Sequence, residues 1–195
     1  DASRIAIWKN YYDSMQAVAP GSYCILEHFG GDQEEIELAN YGMLLWNNLN
    51  YESNQNTMGY INNSTLYRAY APYKGYTKLG LISYAESHDE ERLMYKNINF
   101  GFTNSNYDVK SLNIGLQRME ALNALMLLIP GAKMYWQFGE LGYDYSINTC
   151  LDILLFVCSK INSSIFCCCL SCCILNRYVN YISCCFSGLN IFRIY

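Results

Sequence analysis

Apolar and polar positions alternate in blocks along the first three-quarters of the chain, and each block has the period of one element. In "SRIAIWKNYYDSMQAVAP", Ile5, Trp8, Tyr12, Met15 and Val18 recur at helical spacing, and Pro20-Gly21 ends the run. "SYCILEHF" is a short apolar run between that turn and Gly30-Gly31, which predicts a buried strand. Asp32 is placed to cap a short helix over "QEEIELANYG", with acidic residues in its first turn and a glycine after it. "MLLWNNLNY" is the next apolar run, followed by an Asn-rich loop, and "KLGLISYAES" predicts a third strand. "SLNIGLQRMEALNALMLLI" sets Leu112, Leu116, Met119, Leu122, Met126 and Ile129 on one helical face and stops at Pro130-Gly131. "KMYWQFGE" predicts a fourth strand.

Strands alternating with helices imply an α/β fold with parallel strands joined by right-handed crossovers. Each predicted strand runs into reactive side chains: Glu27-His28, Asn47-Asn48, His88-Asp89 and Glu140. A (β/α) barrel collects its active site at the C-terminal ends of its strands, so the pattern favours a barrel. A doubly wound sheet would alternate in the same way. It usually carries a glycine-rich phosphate turn, and no glycine cluster here has G-x-G-x-x-G spacing.

Composition divides the chain in two. Residues 1–145 carry 10 Lys+Arg, 16 Asp+Glu and one cysteine, Cys24, whereas residues 146–195 carry four charged residues and nine cysteines. With a net charge of −4 and no basic stripe, nucleic acid is not the expected partner. In "FCCCLSCC" the cysteines are too crowded for a disulfide scaffold and lack zinc-ligand spacing. Lys160, Asn162, Ser163 and Ser164 break the apolar run before it reaches the roughly 20 residues of a membrane helix. Three readings of the tail stand open: a membrane segment, an unusual domain, or an intron-derived or frameshifted stretch. A membrane is a partner only if the tail is genuine coding sequence. The start, Asp1-Ala2-Ser3-Arg4, has neither an initiator Met nor a signal peptide and reads as a helix already under way, so a longer parent protein is expected.

The candidate chemistry lies at "LISYAESHDEERLMYK", where an apolar strand runs into His88-Asp89-Glu90-Glu91-Arg92. Glu27 and Asp89, on separate strand ends, are the pair that glycoside cleavage needs: one group protonates the leaving oxygen while negative charge stabilises an oxocarbenium-like transition state. A rim salt bridge explains a strand-end carboxylate equally well. Glu90, Glu91 and Arg92 read most simply as a solvated helix start. His28 and His88 fit structural roles, and with no Cys or Asp spacing around them they make a poor metal site. Trp46 and Trp136 read as core or groove lining. No cofactor motif is visible.

"YCILEHFGG", "YGMLLWNNLNY", "SYAESHDEERLMYK" and "IPGAKMYWQFGELGYD", in this order, resemble the second half of the catalytic barrel of the α-amylase family of glycoside hydrolases, nearest to the bacterial amylase-like and glucan-branching-like members. The resemblance covers residues 1–147 and implies strands five to eight of a partial (β/α)8 TIM barrel, with residues 148–195 as a separate cysteine-rich tail. It implies that Glu27 is the general acid/base, that Asp89 binds sugar hydroxyls and stabilises the transition state, and that His88 and His28 contact substrate. Glu140 would help shape the mouth. The implied partner is an α-glucan polysaccharide or oligosaccharide, the implied location extracellular or periplasmic, and the intact protein could hold calcium. Two departures stand out. Ser87 replaces the Asn usual before His-Asp, and the family's nucleophilic Asp has no counterpart, which places it upstream of Asp1. The chain alone is then expected to be inactive: half of an α-1,4-glucan hydrolase or a branching transglycosylase, or alternatively a non-catalytic remnant with weak sugar binding.

Overall fold

The computed structural model describes residues 2–148. The expectations for the tail lie beyond Asn148, outside the described residues, and no described helix is long and apolar enough to cross a membrane. The elements follow one another as α1 (Ala2–Val18), β1 (Ile25–Leu26), α2 (Asp32–Tyr41), β2 (Leu44–Asn48), α3 (Asn50–Met58), β3 (Leu81–Tyr84), α4 (Leu93–Phe100), α5 (Leu112–Leu128) and β4 (Ala132–Lys133). Short 3-10 turns occupy Tyr67–Ala69, Ala71–Lys74 and Gly139–Leu141.

Among the described residues the strands form one parallel sheet in the order β1-β2-β3-β4. The fold is therefore α/β around a four-stranded parallel sheet. Leu26 pairs with Leu45, Leu45 with Leu81, and Ser83 with Lys133, and these positions share one face. Against it pack Leu38, Ala39 and Met43, with Ile5, Trp8, Tyr12 and Ile36 at the margin, in one apolar cluster. A second cluster joins α3, α4 and α5 through Leu49, Leu93, Met94, Met119, Leu122 and Met126. The other face carries Leu44, Trp46, Ile82, Tyr84 and Ala132, which form their own apolar layer with Met134.

Several boundaries differ from the sequence expectation, each for a physical reason. The Asn-rich stretch after β2 is helical from Asn50; Leu49 holds the cap position, and Asn48 Oδ1 accepts the Asn50 N–H (2.8 Å), satisfying one free amide of the first turn. At its far end α3 closes on Gly59, whose φ of 90° suits glycine. From α5, Arg118 donates to the carbonyls of Asn56 and Thr57, satisfying the C-terminal end of α3. Asp32 does not cap α2. Gly31 holds that position, and the Asp32 carboxylate instead meets Arg68 at 2.9 Å and Lys74 at 3.3 Å. β4 ends at Lys133, not Glu140, because the chain beyond it turns away into the loop that carries Trp136.

Burial sets the cost of substitution. Leu45 is fully buried at the centre of the sheet, whereas Ile61 is 90% exposed. Leu45→Ala is expected to cost about 2–5 kcal/mol in urea unfolding, and Ile61→Ser to change stability by less than about 0.5 kcal/mol.

Candidate active site

Parallel strands in sequence order place all their C-terminal ends on one rim, and the rim gathers side chains far apart in the chain. Glu27 follows β1 directly, Asn47 and Asn48 close β2, and His88 and Asp89 lie just past β3. Donor atoms of Glu27, His88 and Asp89 all lie within 4.8 Å of one another. His88 Nε2 stands 3.6 Å from Asp89 Oδ1. The His88 ring sits between Trp46 and Trp136, each 5.9 Å away centroid to centroid, so aromatic walls fix its position. Glu27 and Asp89 are exposed, and His88 is half-buried. Beneath them lies Tyr84, fully buried, its hydroxyl without a hydrogen-bond partner and its ring edge-on to Trp46 at 5.2 Å. Burial pushes the Tyr84 phenol well above its ordinary range, and the charges of Glu90, Glu27 and Asp89 push it further. The phenol therefore stays protonated.

His28 is placed differently from its sequence neighbour. The Trp8 indole N–H donates to His28 Nδ1 (3.1 Å), so the ring proton sits on Nε2 and is shared with Glu34 Oε1 at 2.8 Å. Arg4 closes the set with two hydrogen bonds to Glu34, at 2.7 and 2.6 Å. Both nitrogens of His28 thus have hydrogen-bond partners inside the protein. The ring ties α1 to the backbone that carries Glu27. Glu140 is exposed in the 3-10 turn Gly139–Leu141.

The charge run after β3 is not a solvated helix start. Arg92 is 1% exposed and Glu86, which the sequence reading passed over, 5%. Arg92 Nη1 donates to Glu86 Oε2 (3.3 Å) and to the Gln137 carbonyl (3.0 Å), and the Leu93 N–H donates to Glu86 Oε1 at 2.6 Å. Burial pushes the Glu86 carboxyl upward, against the pull of Arg92 and the Leu93 N–H. Glu91 accepts from Ser146 Oγ (2.6 Å) and the Ile147 N–H (3.2 Å), while Glu90 accepts from Asn48 and Ser87. Ser87 Oγ also accepts the Asp89 N–H at 3.2 Å, which gives the serine a specific place in the loop. A signal for this existed: a residue spacing of Glu86 to Arg92 that straddles His88-Asp89 between a strand and a helix.

Glu27, His88 and Asp89 are the one group of three such ligands to converge among the described residues. Calcium takes six to eight oxygens, so two carboxylates and an imidazole do not fit it. Chemically the set suits proton transfer beside a fixed negative charge. No family model matches this chain, and no curated protein matches it.

Two expectations follow. The Arg4 hydrogen bonds, then that from His28, outweigh burial and hold the Glu34 carboxyl down at about 2, against an ordinary 4.5. A depressed folded value stabilises the fold above the ordinary value and loses that contribution as pH falls through the depressed one. The melting temperature should therefore fall between pH 4.5 and 2, and less steeply in Glu34→Gln. Glu90→Gln should lower stability by about 1 kcal/mol, because it weakens two charge-assisted hydrogen bonds. A melting temperature equal to the parent's would return Glu90 to the solvated face.

Proposed function

We propose that residues 1–147 form the second half of a (β/α)8 barrel, and that its rim is part of the catalytic face of a retaining α-glucan-active glycoside hydrolase of the α-amylase family. The convergence of Glu27, His88 and Asp89 from the ends of β1 and β3 carries this reading. The sheet supports it: helices pack on one face while Leu44, Trp46, Ile82, Tyr84 and Ala132 make an apolar layer on the other, as the filled interior of a barrel requires.

In this reading Glu27 protonates the glycosidic oxygen as the bond breaks, then takes a proton from the water that releases the sugar. Asp89 accepts hydrogen bonds from sugar hydroxyls, and its charge stabilises the positive character that develops at the anomeric carbon. His88, oriented by Trp46 and Trp136, donates to the same sugar. Trp46 and Trp136 keep the bound ring away from bulk water. The reaction also needs a nucleophilic carboxylate, a role assigned to none of the described residues. The intact protein would act on α-1,4-linked glucan outside the cytoplasm.

The test uses the chain extended upstream to a complete barrel. Glu27→Gln keeps the shape and removes the proton donor, so kcat on a soluble α-glucan should fall at least about a hundredfold. Asp89→Asn should lower kcat strongly and leave the melting temperature nearly unchanged, since the Asp89 side chain is 71% exposed and its ion-pair partner is the adjacent His88. Activity within a few-fold of the parent in both variants would remove the rim from catalysis.

A further inference from the structure

The loop that carries His88 and Asp89 is tied at its base and on both flanks. At the base, Asn50 Nδ2 donates to the carbonyls of Ala85 (2.9 Å) and Glu91 (3.1 Å), one on each stem of the loop. On the β2 side, Asn48 and Ser87 hold Glu90. On the β4 side, Arg92 crosses from the Glu86 carboxylate to the carbonyl of Gln137, the residue after Trp136, and stacks on the Tyr143 ring at 5.2 Å. Glu91 repeats the crossing to Ser146 and Ile147.

We infer that Arg92 and Glu86 are positioning residues that hold the His88-Asp89 loop and the Trp136 wall in register, so that the imidazole keeps its place between Trp46 and Trp136. The geometry requires both ends of the brace. Glu86 is anchored at the end of β3 by the Leu93 N–H, and the guanidinium is the group in reach of Glu86 and of the loop after β4 together. A buried guanidinium also brings its own constraint: with Glu86 removed its charge has no carboxylate partner, and the loop after β4 loses its fixed contact. The functional meaning of this brace rests on the glycosidase reading, but its existence does not.

The chain has two histidines, which gives an internal control. Proton NMR of the full chain resolves the ring signals of His88, shifted by the currents of Trp46 and Trp136, and those of His28, which sits edge-on to Trp8 at 6.0 Å. In Arg92→Met the His88 signals should move toward their solvent positions while those of His28 stay. If Arg92→Met fails to fold, Glu86→Gln, which keeps side-chain shape, is read in the same way. Unmoved His88 signals in a folded variant, or equal movement of both histidines, would overturn the inference. In the extended, active form, Arg92→Met should lower kcat at least about tenfold with a smaller change in KM, and Arg92→Lys, which keeps charge and a donor, should recover part of it. No recovery, with His88 unmoved, counts against a positioning role. If the extended parent itself cleaves no glucan, the glycosidase reading falls, and the His88 shift still decides the brace.

Discussion

A buried carboxylate facing a buried guanidinium is the interaction on which the rim depends. Glu86 and Arg92 flank the loop that carries His88 and Asp89, and each is almost wholly removed from water. Desolvating two charges costs several kcal/mol per ion, so such a pair is a weak route to stability. What it supplies is direction. The pair fixes where β3 ends, where α4 begins, and how far the loop after β4 stands from both, through Gln137 and Tyr143. With those positions set, the imidazole of His88 sits between two indoles and beside two carboxylates.

The same logic organises the opposite flank. Glu34 occupies the first turn of α2, where the helix dipole favours negative charge, and it collects hydrogen bonds from Arg4 and His28. Arg4 and Trp8 belong to α1, so the helix before the sheet and the helix after β1 are latched together through one imidazole. The latch lies directly beside Glu27. Two ionic devices, one at each end of the rim, thus keep the exposed carboxylates Glu27 and Asp89 within reach of each other while leaving their own oxygens toward solvent.

Period and punctuation made the element types legible in the sequence. Apolar runs marked β1 to β3, the first of them bounded by Pro20-Gly21 and Gly30-Gly31, and the helical spacing of Met119, Leu122 and Met126 marked α5, because those side chains are buried in the helical core. The convergence of Glu27, His88 and Asp89 followed from strand order alone, since parallel strands bring their C-terminal ends to one side. Partnership was the part that could not be read. Arg92 in a run of like and unlike charges resembles a solvated face unless its carbonyl acceptor, far along the chain at Gln137, is known. His28 sits next to Glu27 in sequence and shares its rim, yet its nitrogens are claimed by Trp8 and Glu34 from elements on either side. β4 proved shorter than its apolar run because tertiary contacts at Trp136 and Tyr135, not strand propensity, decide where the chain leaves the sheet.

In the proposed reading this rim faces sugar through His88, whose ring lies among the rim carboxylates, while His28 is held by Trp8 and Glu34. Titrating the chain with a linear maltooligosaccharide, while the ring signals of the two histidines are followed by NMR, tests it most directly. If sugar binds at this rim, the His88 signals shift progressively and saturate while those of His28 remain where they are. Signals of His88 that stay fixed at saturating sugar, or a shift of His28 equal to that of His88, would contradict it.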